Sequence, residues 1–91
     1  MERYFILSGS KVWDMSRAEI ISAADQYMSR SGAEFGPADD ILPQAIEQIG
    51  VSAYPITREG ARDFIKAARR VGSKNPARRL AVQLLPGASR P

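Results

Sequence analysis

The chain predicts an α+β domain in which an N-terminal β-hairpin packs on a small cluster of about four helices. Three observations carry that expectation. An aromatic and β-branched run at the N-terminus is broken by a glycine-containing turn, a strong helix-start signal follows at once, and further apolar stripes at helical spacing are separated by glycine and proline. With 91 residues, the expected organisation is one compact domain over residues 1–87 and a short tail over residues 88–91.

Arg3 to Leu7 reads as a strand, Ser8-Gly9-Ser10 as a turn, and Lys11 to Asp14 as the returning strand, with Phe5 and Trp13 as packing groups. A two-stranded hairpin is marginal alone, so it must rest on other elements. Ser16-Arg17-Ala18-Glu19 has the capping-box spacing, in which the serine hydroxyl and the glutamate carboxylate each accept the other residue's backbone N–H. The helix that follows sets Ile20, Ala24, Tyr27 and Met28 on one face and ends at Ser31-Gly32. Ala33 to Ala38 is expected to be a loop. A second helix begins near Asp39 or Asp40, accepts Pro43 only in its first turn, carries Ile41, Leu42, Ala45, Ile46 and Ile49 as its apolar face, and stops at Gly50.

Val51 to Ile56 is either a short edge strand or a crossing segment, because Pro55 holds Tyr54 extended. Thr57 is placed to cap a third helix with Ala61, Phe64, Ile65 and Ala68 on one face, and Gly72 closes it. Asn75-Pro76 has the form of an N-cap followed by proline at the first helical position. It predicts a fourth helix over Ala77 to Leu85, with Leu80, Ala81 and Leu84 facing inward and Pro86-Gly87 as the stop. The large members of these stripes are expected to meet in one core.

Several chemistries are excluded by what is missing. The chain has no cysteine and no histidine, which removes disulfides, thiolate zinc, thiol catalysis and the commonest general base and metal ligand. No Gly-x-Gly-x-x-Gly or Walker spacing occurs, and no serine or tyrosine is paired by spacing with a base. A non-enzymatic protein without cofactor or metal is therefore expected. The N-terminal residues lack the pattern of a secretory signal, and no apolar run approaches the ~18 residues of a membrane span, so a cytoplasmic protein with no membrane association is the expectation.

The charge is divided along the chain. Met1 to Ile56 carries eight acidic and four basic residues, and Thr57 to Pro91 carries nine basic and two acidic ones. A segment of net −4 thus precedes one of net +7, behind a formal total of +3. The cations are densest at Arg69, Arg70, Lys74, Arg78 and Arg79, around the corner between the third and fourth helices. Such a cluster can neutralise several phosphates. The competing reading is a solvated helix face, or pairing with the acidic half of the same molecule.

Ala68 four residues before Gly72 resembles the helix-turn-helix motif. Ser73 and Arg78, however, stand where that motif has apolar residues, and Asn75-Pro76 lengthens the turn. No aromatic follows Phe64, so base stacking on this corner is not expected. Asp39 and Asp40 are adjacent and do not face one another on a helix, which favours capping over paired-carboxylate chemistry.

Two function classes follow. In the first, the basic corner docks on an anionic partner, nucleic acid or a nucleoprotein complex. In the second, the chain is a small protein-binding regulator, an inhibitor or adaptor of a larger complex such as a mobile-element protein acting against host defence. Trp13, Tyr54, Asp39 and Asp40 are then the candidate protein-interface residues. Neither the target nor the oligomeric state is encoded legibly.

Overall fold

The structure is a computed structural model that describes residues 2–32 and 40–85. It contains β1 (Arg3–Ser8), β2 (Lys11–Ser16), α1 (Arg17–Ser31), α2 (Leu42–Ile49), β3 (Ser52–Pro55), α3 (Arg58–Arg70) and α4 (Lys74–Leu84). The α+β class and the N-terminal hairpin are as expected. The 33–38 loop, Asp39, the Pro86-Gly87 stop and the 88–91 tail lie outside the described residues.

The hairpin turns through Gly9-Ser10, with Gly9 at φ 58°, a left-handed conformation that glycine adopts without steric cost. Ser8 faces Lys11 and the register runs on to Arg3 opposite Ser16, so both strands are longer than the sequence suggested. Val51 to Ile56 resolves into an edge strand, β3, antiparallel to β1 with Phe5 opposite Tyr54. The sheet order β2-β1-β3 therefore leaves the first strand in the middle.

Side chains alternate across a strand, and β1 uses both faces. Phe5 and Leu7 join Ala61, Phe64, Ala68, Ala77 and Ala81 on the side of α3 and α4. Ile6 joins Ile20, Ala24, Leu42 and Ala45 on the side of α1 and α2. Phe5 and Ile6, neighbours in sequence, are both fully buried. The expected single core is thus two half-cores, separated by the sheet and sharing its central strand. Phe5 and Phe64 stack with ring centroids 4.8 Å apart, and Tyr54 tilts against Phe64 at 5.8 Å.

The first helix starts at the capping box: the Glu19 N–H donates to Ser16 Oγ at 3.1 Å, and the Ser16 N–H donates to Glu19 Oε1 at 2.8 Å. Gly32 closes it at φ 75°. Its buried ridge follows the i, i+4, i+8 row of Ile20, Ala24 and Met28. Tyr27, expected in the core, lies one step off that row and is 58% exposed. In α2, Pro43 occupies the first turn and Gly50 ends the helix, as the sequence requires.

Candidate nucleic-acid interface

Thr57 begins α3, its hydroxyl accepting the Gly60 N–H at 3.0 Å. Gly60 then passes so close to β3 that a Cβ there would lie 1.9 Å from the Pro55 carbonyl oxygen. Glycine at this position sets how near α3 lies to the sheet. At the other end, the Ser73 N–H donates to the Ala68 carbonyl at 2.8 Å and the Gly72 N–H to the Arg69 carbonyl at 3.3 Å. These two bonds form a Schellman motif, with Gly72 in the left-handed conformation it requires.

The fourth helix starts earlier than expected. Ser73 is its N-cap and Lys74 its first residue, which puts Pro76 at the third position. This costs no hydrogen bond, because the first-turn N–H groups have no intrahelical acceptor. The Asn75-Pro76 signal therefore marked the right turn of the helix but not its first residue. Ser73 is buried, and its hydroxyl donates to the Ser10 carbonyl of the hairpin turn, so it does not cap the helix. That bond ties the α3–α4 corner to the sheet. The sequence marks Ser73 only as a polar residue in a turn.

All five predicted cations, Arg69, Arg70, Lys74, Arg78 and Arg79, are exposed. Arg69 and Arg70 occupy the last turn of α3, where positive charge also complements the carbonyl end of the helix. Arg78 and Arg79 line a shallow surface depression with Asn75. Arg78, at a position the helix-turn-helix motif fills with an apolar residue, faces solvent, and α4 buries Ala77 and Ala81 instead. The motif's packing is not reproduced.

Part of the acidic half is paired within itself. Arg3 pairs with Asp14 and reaches Glu19 at 3.7 Å, while Arg17 pairs with Asp40 and reaches Glu2 at 3.8 Å. Among the described residues these are the ion pairs present, and none involves the five cations. Bonding to Arg17, with help from the Leu42 N–H, holds the Asp40 carboxyl below the usual aspartate range. Asp40 also accepts the Leu42 N–H at 3.0 Å and so supports the start of α2.

The other predicted interface residues are spread over the molecule. Trp13 is half-buried against the α1–α2 half-core and Tyr54 against the α3–α4 half-core. The exposed large apolar side chains among the described residues are Tyr27, Val71 and Val82, each on a different segment.

A cleft of about 440 Å³ opens between Glu2, Arg3, Tyr4, Pro55, Ile56, Thr57 and Leu84. Its Tyr4 hydroxyl donates to Glu2, and desolvation followed by that carboxylate pushes the phenol up to about 12. Tyr4 is therefore a hydrogen-bond donor at neutral pH and not a base. No cluster of potential metal ligands occurs among the described residues, and no helix there is long and apolar enough to cross a membrane.

Compared with known proteins, the chain matches no family model, no curated protein and no solved structure.

Proposed function

We propose that this protein is a non-enzymatic binding protein whose α3–α4 corner docks on the phosphate backbone of a nucleic acid, alone or within a nucleoprotein complex. The observation that carries this reading is the set of five exposed cations without an acidic partner among the described residues, in a molecule whose described acidic pairs are formed by Arg3 and Arg17 instead. The corner also contains the N-terminus of α4, which no side chain caps. Its free N–H groups and positive dipole end add to the attraction for a phosphate. Contact through phosphates implies little sequence preference.

The alternative, a protein-binding regulator, calls for an exposed apolar patch. Trp13 and Tyr54 are instead partly buried on opposite faces of the sheet and form no common patch, and the exposed valines and Tyr27 lie on separate segments.

The test is duplex-DNA or RNA binding by fluorescence anisotropy as a function of salt. Five phosphate contacts on a duplex give a log–log slope of about −4.5, or a ~500-fold loss of affinity between about 50 and 200 mM salt. Arg78→Glu with Arg79→Glu leaves three contacts, a slope near −2.7 and weaker binding at every salt concentration. Unchanged affinity and slope in that variant would refute the assignment. A partner captured from cells that survives nuclease treatment and ignores the charge reversal would support the regulator instead.

A further inference from the structure

The two outer strands of the sheet differ in what they offer a further strand. A two-residue hairpin makes Ser8 and Lys11 a hydrogen-bonded pair, and bonded and non-bonded pairs then alternate along β1–β2. Tyr4, Ile6 and Ser8 therefore spend their backbone groups on β2, while Phe5 and Leu7 spend theirs on β3. On β3 the outward positions are Ala53 and Pro55. Pro55 has no N–H, and its carbonyl accepts the Thr57 N–H at 2.9 Å. Ala53 alone keeps both outward groups, so proline, the device edge strands commonly use, leaves that edge half of what a further strand needs.

On β2 the outward positions are Val12, Asp14 and Ser16. The Ser16 N–H is taken by the Glu19 carboxylate. The N–H and C=O groups of Val12 and Asp14 have no partner among the described residues. Two outward residues carrying four free backbone groups are what one more antiparallel strand needs.

We infer that this edge pairs with β2 of a second copy, about a two-fold axis at Trp13, to give a continuous six-stranded sheet. The register follows from elimination. Placing Val12 opposite the partner's Asp14 makes four backbone hydrogen bonds and sets Trp13 against the partner's Trp13 at a non-hydrogen-bonded position, where side chains approach most closely. Shifting one way opposes Asp14 to its own copy and calls on the Ser16 N–H already used in the capping box. Shifting the other way calls on the Ser10 carbonyl already bonded to Ser73. One register remains, and in it the surface is its own complement, as a two-fold interface requires.

The charges agree with that register. It places Lys11 opposite the partner's Met15. Met15 borders a shallow concavity of about 520 Å³ lined also by Ala18, Glu19, Ser22, Ala23 and Gln26. The small side chains leave room for the lysine stem, and the Glu19 carboxylate provides the opposite charge. Lys11 itself is exposed and forms no ion pair within its own chain among the described residues. Four backbone bonds and one aromatic pair make a small contact, so the dimer belongs at the weak end of the range, below standard interfaces of ~1,200 Å² or more.

The experiment is sedimentation equilibrium over a wide concentration range on the full chain. The expected result is a reversible doubling of mass, accompanied by an exciton couplet in the far-ultraviolet circular dichroism from the sole tryptophan. Val12→Pro removes the outward-pointing N–H together with a side chain packed beside the α3–α4 half-core, so Val12→Ala serves as its control: proline should abolish the dimer and alanine should keep it, both with the helical signal of the monomer. Because the chain has no cysteine, register is read by oxidising Lys11→Cys protein mixed with Met15→Cys protein. A disulfide-linked heterodimer is expected, and neither protein should cross-link to itself. A monomer at every concentration, a dimer unaffected by Val12→Pro, or self-linking of the Lys11→Cys protein would each overturn the inference. Recruitment of a foreign peptide strand to β2 with no self-association would do so too.

Discussion

Replacing Gly60 by alanine separates two opposed effects whose sign the structure decides. Alanine in place of glycine stabilises a helix interior by up to ~1 kcal/mol, and by less in a first turn such as this one. Against that, the new Cβ would lie 1.9 Å from the Pro55 carbonyl oxygen and 2.9 Å from its carbon, where real Cβ contacts essentially never fall below 3.0 Å. Both atoms belong to the backbone, so no rotamer change relieves the clash. The start of α3 must retreat from β3, drawing Ala61 and Phe64 away from Phe5.

Overpacking of this kind costs ~1–3 kcal/mol, which outweighs the propensity gain and leaves a net loss of about 1–2 kcal/mol. For a domain of this size each kcal/mol shifts the melting temperature by roughly 4–8 °C. Thermal and urea unfolding followed by circular dichroism would measure it. A melting temperature equal to or above that of the parent would refute the close approach of α3 to β3.

Two further substitutions probe the frame. Phe64→Ala removes the ring stacked on Phe5 and touching Tyr54; the expected loss of about 3–5 kcal/mol is a large share of a marginal stability and should appear as a collapse of the urea midpoint. Acid should also weaken the fold. The Ser16 backbone N–H and hydroxyl hold the Glu19 carboxyl below its ordinary 4.5, and Arg17 with the Leu42 N–H holds Asp40 below its ordinary 3.8. A carboxyl depressed in the folded state contributes fully above its unfolded value and loses that contribution as the pH falls through its folded one. The melting temperature of the parent should therefore drop in acid, and a Glu19→Gln, Asp40→Asn variant should show a shallower drop. Equal acid slopes would remove the capping box and the Arg17 pair as its cause.

Local signals were legible where one residue type has one use. The hairpin turn, the Ser16–Glu19 capping box, the Thr57 cap and the terminating glycines Gly32, Gly50 and Gly72 all occur where their chemistry demanded. Packing was less legible, because apolar patterns weight large side chains. In α3 and α4 the buried positions are largely Gly60, Ala61, Ala68, Ala77 and Ala81, while Ile65, Leu80 and Leu84 sit at the margin. Two helices sharing one face of a three-stranded sheet approach closely and select small residues at the contact. The division of the core could not be read either, since Phe5, Ile6 and Leu7 form a continuous apolar run that does not reveal which side each faces. Of the basic corner, the five residues were legible and their lack of acidic partners was not. That depended on a fold that brings Arg3 to Asp14 and Arg17 to Asp40.

Burying β1 on both faces has an electrical consequence. It turns a division along the chain into a division across a slab. On one side of the sheet α3 and α4 hold eight cations and two carboxylates; on the other, α1, α2 and the adjoining Asp40 hold four carboxylates and two arginines. The two layers are kept apart by more than a helix diameter of ~10 Å, beyond the ~8 Å Debye length at physiological ionic strength. Neither layer therefore cancels the other's field at its own surface, and the molecule carries a dipole roughly perpendicular to its sheet. A polyanion exerts a torque on such a dipole before contact, turning the α3–α4 side toward itself. For the docking proposed above, the central strand would thus set orientation during approach.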